Sequence, residues 1–86
     1  MAKYELRFKR SVAKDLRAVT SKRDIKKILQ RIEALTLEPR PVGSKKLAGM
    51  AYYRIRQGCY RIIYEILDQR LIVHVIRVAQ RSRLYK

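Results

Sequence analysis

Acidic residues are scarce in this chain. Seven Asp and Glu stand against 22 Lys and Arg, a formal charge of +15 on 86 residues. Such a surface repels itself and attracts polyanions or an acidic protein partner. The basic residues run from Lys3 to Lys86, which describes a charged domain rather than a basic tail. Cysteine is nearly absent too. With Cys59 alone, no intrachain disulfide can form and no cysteine-based zinc site can be assembled, so a reduced, cytoplasmic setting is expected. Nothing approaches the ~18 consecutive apolar residues of a membrane span. The opening Met-Ala-Lys-Tyr-Glu-Leu-Arg lacks the apolar stretch of a signal peptide. There is no internal repeat and no low-complexity tract. The hydrophobic share of 48% is ordinary for a globular protein, and the length allows one domain, residues 1–86, with one modest core.

Alternation and helical spacing divide the chain cleanly. Tyr4, Leu6 and Phe8 alternate with Glu5 and Arg7, which predicts a short strand with the three apolar side chains inward. Ser11 offers a helix N-cap, and Val12, Ala13, Leu16 and Val19 follow at helical spacing, so a helix is expected over about Val12 to Val19. Ser21 and Asp24 form a Ser-x-x-Asp capping signal. Ile25, Ile28, Leu29, Ile32 and Leu35 then recur at steps of three and four, one apolar stripe of a second helix. Pro39 and Pro41 end it, because the residue before proline avoids helical angles, and Arg40 to Gly49 reads as a loop carrying Lys45 and Lys46.

After Gly49 the period becomes two. Tyr52 to Arg56 and Cys59 to Leu67 are predicted strands around Gln57-Gly58, a hairpin signal. That turn would set Arg54 opposite Arg61 and Arg56 opposite Cys59. It gathers Arg54, Arg56 and Arg61 on one face, with Tyr53, Ile55, Tyr60, Ile62 and Tyr64 on the other. Asp68-Gln69 reads as a turn and Arg70 to Ala79 as a third strand, apolar on both faces and therefore central. Gln80 to Lys86 is a basic tail. The expected class is α+β: an N-terminal strand, a helical hairpin, then a three-stranded antiparallel meander, in one sheet with helices on one face.

Like charges opposite one another on a sheet cost a few tenths to ~1 kcal/mol. The arginine face is therefore either a solvated surface or a site awaiting an anion, for which the guanidinium fork suits phosphate oxygens. The lone histidine, His74, lies in an apolar strand and reads first as a core or edge residue. A two-residue turn at Asp68-Gln69 puts it on Arg61's face; a one-residue slip puts Val75 and Arg77 there instead. Cys59 has no base at a recognisable spacing and reads as incidental.

The order strand, helical hairpin, Lys-Lys-Leu-Ala-Gly, Tyr-Arg-Ile-Arg-x-Gly-x-Tyr-Arg-Ile-Ile-Tyr-Glu, apolar strand and terminal Arg-x-x-x-Tyr resembles the RelE/ParE superfamily of bacterial and archaeal toxins. The resemblance covers nearly the whole chain. It implies a small basic type II toxin with a RelB-like antitoxin that wraps it, the pair binding operator DNA through the antitoxin. It implies no membrane partner, no cofactor and no metal. In the RelE branch such toxins cleave mRNA in the A site of the 70S ribosome; in the ParE branch they inhibit DNA gyrase and lack the nuclease residues. Carried over position by position, the RelE catalytic set falls on Arg54, Arg56, Arg61, Arg81 and Tyr85, all of suitable chemistry, which favours RelE over ParE. Lys45 and Lys46 then read as contacts to RNA phosphates or as solvated lysines. Two departures stand out. Arginines occupy Arg54 and Arg56 where the best-known RelE pattern has lysines, and Gln80 stands where His or Lys often precedes the arginine. An arginine is a poor general base, so the acceptor of the 2′-OH proton stays open.

Overall fold

The computed structural model describes residues 3–47, 49 and 51–80. The elements are β1 (Glu5–Phe8), α1 (Ser11–Arg17), α2 (Lys22–Ala34), β2 (Lys45–Lys46), β3 (Tyr52–Gln57), β4 (Tyr60–Leu67) and β5 (Ile72–Gln80), with a 3₁₀ turn at Asp68–Arg70 between the last two strands. They form one five-stranded sheet in the order β1-β5-β4-β3-β2, and this is the expected α+β class. The meander is antiparallel, but β1 runs parallel to β5, so the sheet is mixed. The loop expected over Arg40 to Gly49 also holds a strand: Lys45 and Lys46 pair with Arg54 and Tyr53.

The helices form where the spacing placed them, with different ends. Ser21 caps α2, its Oγ accepting from the Asp24 backbone N–H at 3.3 Å, which satisfies an otherwise orphaned donor. Ser11 does not cap α1. The helical turn already begins at Lys9, whose carbonyl accepts from the Val12 N–H at 2.9 Å, and Arg10 is the N-cap with no side-chain bond. In α2, Ile28, Ile32 and the following Leu35 are buried, whereas Leu29 is 40% exposed. At about 100° per residue, position 29 lies roughly 80° off the centre of the stripe, at the margin of the helix–sheet contact.

Val12, Val19, Ile28, Ile32 and Leu35 meet Ile55, Tyr60, Ile62, Tyr64, Val73, Val75 and Val78 in the core. Leu6 packs against this cluster, as expected, but Phe8 is 44% exposed. It sits at the end of an edge strand, beyond the area the helices cover. α1 also protects the outer edge of β5. Where β1 stops, the Val78 N–H donates to the Asp15 carboxylate at 3.1 Å. A bare strand edge is a template for unwanted pairing, and this bond closes it.

A polar cluster fastens the lower end of the sheet. Arg40 donates to both oxygens of Asp68, at 3.3 and 2.8 Å. Tyr4 donates to Asp68 at 2.7 Å. The Arg40 guanidinium also donates to the Tyr53 hydroxyl at 3.2 Å and lies 5.3 Å from that ring's centre. Tyr53 stacks on Tyr64, ring centres 5.9 Å apart, and the Tyr64 hydroxyl donates to the Pro39 carbonyl at 2.7 Å. One cluster thus joins the residue preceding β1, the α2–β2 connection, β3, β4 and the β4–β5 turn. Burial pushes the Tyr64 phenol up to about 12. Arg40 and then Tyr4 hold the Asp68 carboxyl below its ordinary value.

Because the folded pKa of Asp68 is lowered, its contribution is complete above the unfolded value of ~3.9 and disappears as pH falls through the folded value. Asp68→Asn is expected to lower the Tm at pH 7, with the gap to the parent closing below about pH 4. Thermal melts of both proteins across pH 2.5 to pH 7 check this (range chosen to bracket roughly the carboxylate titration); a gap that persists unchanged at the acid end sinks it.

Candidate functional site

The sheet has a second face, turned away from the helices, and the strand registers decide what stands on it. β3 and β4 pair with Gln57 opposite Tyr60, so the two-residue turn is Gly58-Cys59 and not Gln57-Gly58. Gly58 has φ +60°, the conformation that the first position of a type II′ turn requires and glycine supplies at no steric cost. Arg56 therefore stands opposite Arg61, and Arg54 opposite Ile63, correcting the expected pairs of Arg54 with Arg61 and Arg56 with Cys59. The faces survive the correction. Moving a turn by one residue shifts the partners by two, and side chains alternate with period two.

The β4–β5 register fulfils parts of both alternatives that the sequence left open. Leu67 pairs with Ile72, Glu65 with His74 and Tyr64 with Val75; then a bulge skips Ile76, and Ile63 pairs with Arg77 and Arg61 with Ala79. The extra residue reverses the alternation of β5. His74 lies on Arg61's face below the bulge and Arg77 lies there above it. Val75 and Val78, three apart in sequence, both point into the core.

Three rungs result. The upper rung is Arg56, Arg61 and Ala79, and the middle one is Lys45, Arg54, Ile63 and Arg77. The lower one is Tyr52, Glu65, His74 and Arg7. Rungs lie two residues apart, about 6.6 Å. Arg61 sits on the central strand and is only 5% exposed. Arg54 is half-buried, while Arg56, Arg77 and Lys45 are exposed. The Arg54 Nε is buried with no hydrogen-bond partner among the described residues. A buried donor left so costs about 1–3 kcal/mol, which an anion on this face would offset. Guanidinium forks around one central, largely buried arginine form a cationic surface whose donors suit phosphate oxygens.

The expected site residues are thus sorted. Arg54, Arg56 and Arg61 come together, as the alternation implied, and Lys45 joins them. Lys46, opposite Tyr53, lies on the other face. Arg81 and Tyr85 lie outside the described residues. Arg77 was missed as a site residue, since the bulge that turns it outward has no signature in the local pattern. Among the described residues no group of three or more His, Cys, Asp or Glu is arranged to hold a metal ion, and no helix is long and apolar enough to cross a membrane.

Comparison with known proteins gives this surface a context. The family of the ParE toxin of type II toxin–antitoxin systems matches residues 6–85. Toxin RelG of Mycobacterium tuberculosis is 34% identical over 79 residues, covering 78% of this chain and 88% of that protein. The toxin fold of the archaeal RelE–RelB complex from Pyrococcus horikoshii superposes with a TM-score of 0.82 at 27% identity, over 96% of this chain and 99% of that one. Isolated RelE of E. coli superposes with a TM-score of 0.76 at 29% identity, over 95% and 90% of the two chains. With the family matched over nearly its full length, the chain belongs to the RelE/ParE superfamily of type II toxin–antitoxin toxins.

Proposed function

We propose that the chain is a ribosome-dependent mRNA endonuclease that cleaves in the A site. The observation that carries the reading is the cationic face, with Arg61 largely buried at its centre and Arg54, Arg56 and Arg77 around it. The resemblance to RelG and RelE toxins supports it. In the reaction the RNA 2′-oxygen bonds to the adjacent phosphorus and the P–O5′ bond breaks. A 2′,3′-cyclic phosphate and a 5′-hydroxyl end are left; the 2′-OH proton leaves and the departing 5′-oxygen gains one. No metal is required. Arg61 and Arg81 clamp the non-bridging oxygens, whose charge grows in the transition state; such preorganised donors are each worth about 3 kcal/mol. Arg54 and Arg56 hold the neighbouring phosphates, Lys45 meets an RNA phosphate at the rim, and Tyr85 orients the 2′-OH or accepts its proton.

A RelB-like antitoxin is the natural partner, as in the complexes of the related toxins, and the pair binds operator DNA through the antitoxin. The match to the ParE toxin family favours a second reading, inhibition of DNA gyrase without chemistry on RNA.

Primer extension on a reporter mRNA after brief induction separates the two. New 5′ ends within the translated region are expected, absent from the Arg61→Ala/Arg81→Ala double variant. Growth arrest without new ends, together with inhibited supercoiling in vitro, would move the assignment to gyrase. Each single arginine substitution is expected to lower cleavage by roughly 10²–10³-fold, with circular dichroism confirming the fold. A double variant that is folded and still toxic refutes the site. Purified toxin is further expected to cut naked RNA poorly, because a cleft without a strong base relies on the ribosome to position the 2′-OH. Turnover on free RNA as fast as on programmed ribosomes contradicts this.

A further inference from the structure

The outward face of α2 carries a second concentration of charge, on the opposite side of the molecule from the arginine face. Ile28, Ile32 and the following Leu35 turn into the core. At about 100° per residue, Lys22 and Lys26 then form one row on the outer surface, and Arg23, Lys27 and Arg31 form a second beside it. Lys22, Arg23, Lys26 and Lys27 are exposed. Among the described residues none of these four makes an ion pair or a side-chain hydrogen bond. Local physics disfavours the arrangement. Like charges four residues apart repel, as in Lys22–Lys26, Arg23–Lys27 and Lys27–Arg31. The helix dipole opposes cations in the first turn, where Lys22 and Arg23 lie. The acids of α2 do little to offset this. Asp24 has Lys27 alone at helical spacing, and Glu33 has no cation three or four residues away. A polyanion against this face would relieve the repulsion.

We propose that the outward face of α2 binds the phosphate backbone of double-helical RNA. In its biological setting the proposal rests on the endonuclease reading above: the sheet takes the mRNA strand while α2 grips paired RNA of the ribosome. The residue types select the partner. A protein interface is built around an apolar centre and is poor in lysine. The outward half of α2 is rich in lysine, and Gln30 rather than a large apolar side chain lies among its cations. Single strands are held by stacking their bases on aromatic rings between the phosphate contacts, and Lys22–Ala34 contains no aromatic residue. The sheet face, by contrast, carries Tyr52. What remains is a rod of point charges about 20 Å long. It suits sequence-independent contacts along phosphates whose bases are already paired.

The test compares two variants of equal charge in the full chain. Arg23→Gln/Lys26→Gln/Lys27→Gln neutralises the α2 face, and Lys45→Gln/Arg54→Gln/Arg56→Gln neutralises the sheet face. Binding to a short RNA duplex, and to an unpaired 2′-O-methyl strand that resists cleavage, is read by fluorescence anisotropy across a salt series. In the α2 variant the salt slope of duplex binding, log K against log salt, is expected to fall by about one for each cation removed, while the unpaired strand binds as before. The sheet variant is expected to show the reverse. Circular dichroism checks both folds, and loss of like-charge pairs leaves α2 no weaker. Duplex binding weakened equally by the two variants overturns the proposal, since net charge alone then counts. An α2 variant that holds the duplex like the parent but no longer co-purifies with a co-expressed antitoxin overturns it too, and makes the face a protein interface. On programmed ribosomes the α2 variant is expected to raise KM and leave kcat unchanged; an unchanged KM overturns the ribosomal assignment. Duplex binding through α2 by a protein that cuts no mRNA keeps the proposal and removes the endonuclease reading.

Discussion

The pairing of β4 with β5 is the constraint on which the rest of the structure depends. Each strand puts one face into the core and the other on the cationic surface, so one register serves both stability and function. Inward lie Ile62, Tyr64, Val73, Val75 and Val78; outward lie Arg61, Glu65, His74 and Arg77. A uniform register could not supply both sets, because Val75 and Val78 are of opposite parity and would point to opposite faces. The bulge at Ile63/Tyr64 absorbs one residue and resolves the conflict. It keeps both valines buried and brings Arg77 into Arg54's rung. Bulges commonly re-aim side chains next to active sites, and here the rungs on its two sides differ in chemistry, cationic above and carboxylate–imidazole below.

Cations gathered this closely repel one another, and acidic residues are few in this chain. The apolar core fixes the strands from the helix side. The Arg40–Asp68–Tyr4 cluster fixes the sheet's lower end, drawing one of the scarce carboxylates into three elements at once. Asp15 is used in the same way, on the open edge of β5. Placing few acids where each joins separate elements leaves the other face with a net positive field, which attracts a polyanion and raises its rate of encounter. An acidic partner covering that face would relieve the same repulsion, which makes neutralisation by an antitoxin electrostatically natural.

The sequence by itself determined the elements and their faces. Alternation through Tyr52–Arg56 and Tyr60–Tyr64 sorted arginines from apolar side chains, and it did so even though the turn lies one residue further on than the glycine signal suggested. The period of two makes that sorting immune to a slip of two. Spacing alone also gave α2, the Ser21 cap and most of its buried stripe. Arg54, Arg56 and Arg61 were legible as a group for the same reason.

Tertiary structure alone decided the rest, because it depends on pairs distant in sequence. Nothing local marks Arg40 as the partner of Asp68, 28 residues away, or Lys45 as a neighbour of Arg54 across a two-residue strand. β1 looks like any alternating strand, and only its docking beside β5 made it parallel and left Phe8 at the rim. The bulge is the sharpest case. An extra residue in one strand has no pattern of its own; it becomes visible when the partner strand is laid beside it, and only then are His74 and Arg77 seen to share the face of Arg61.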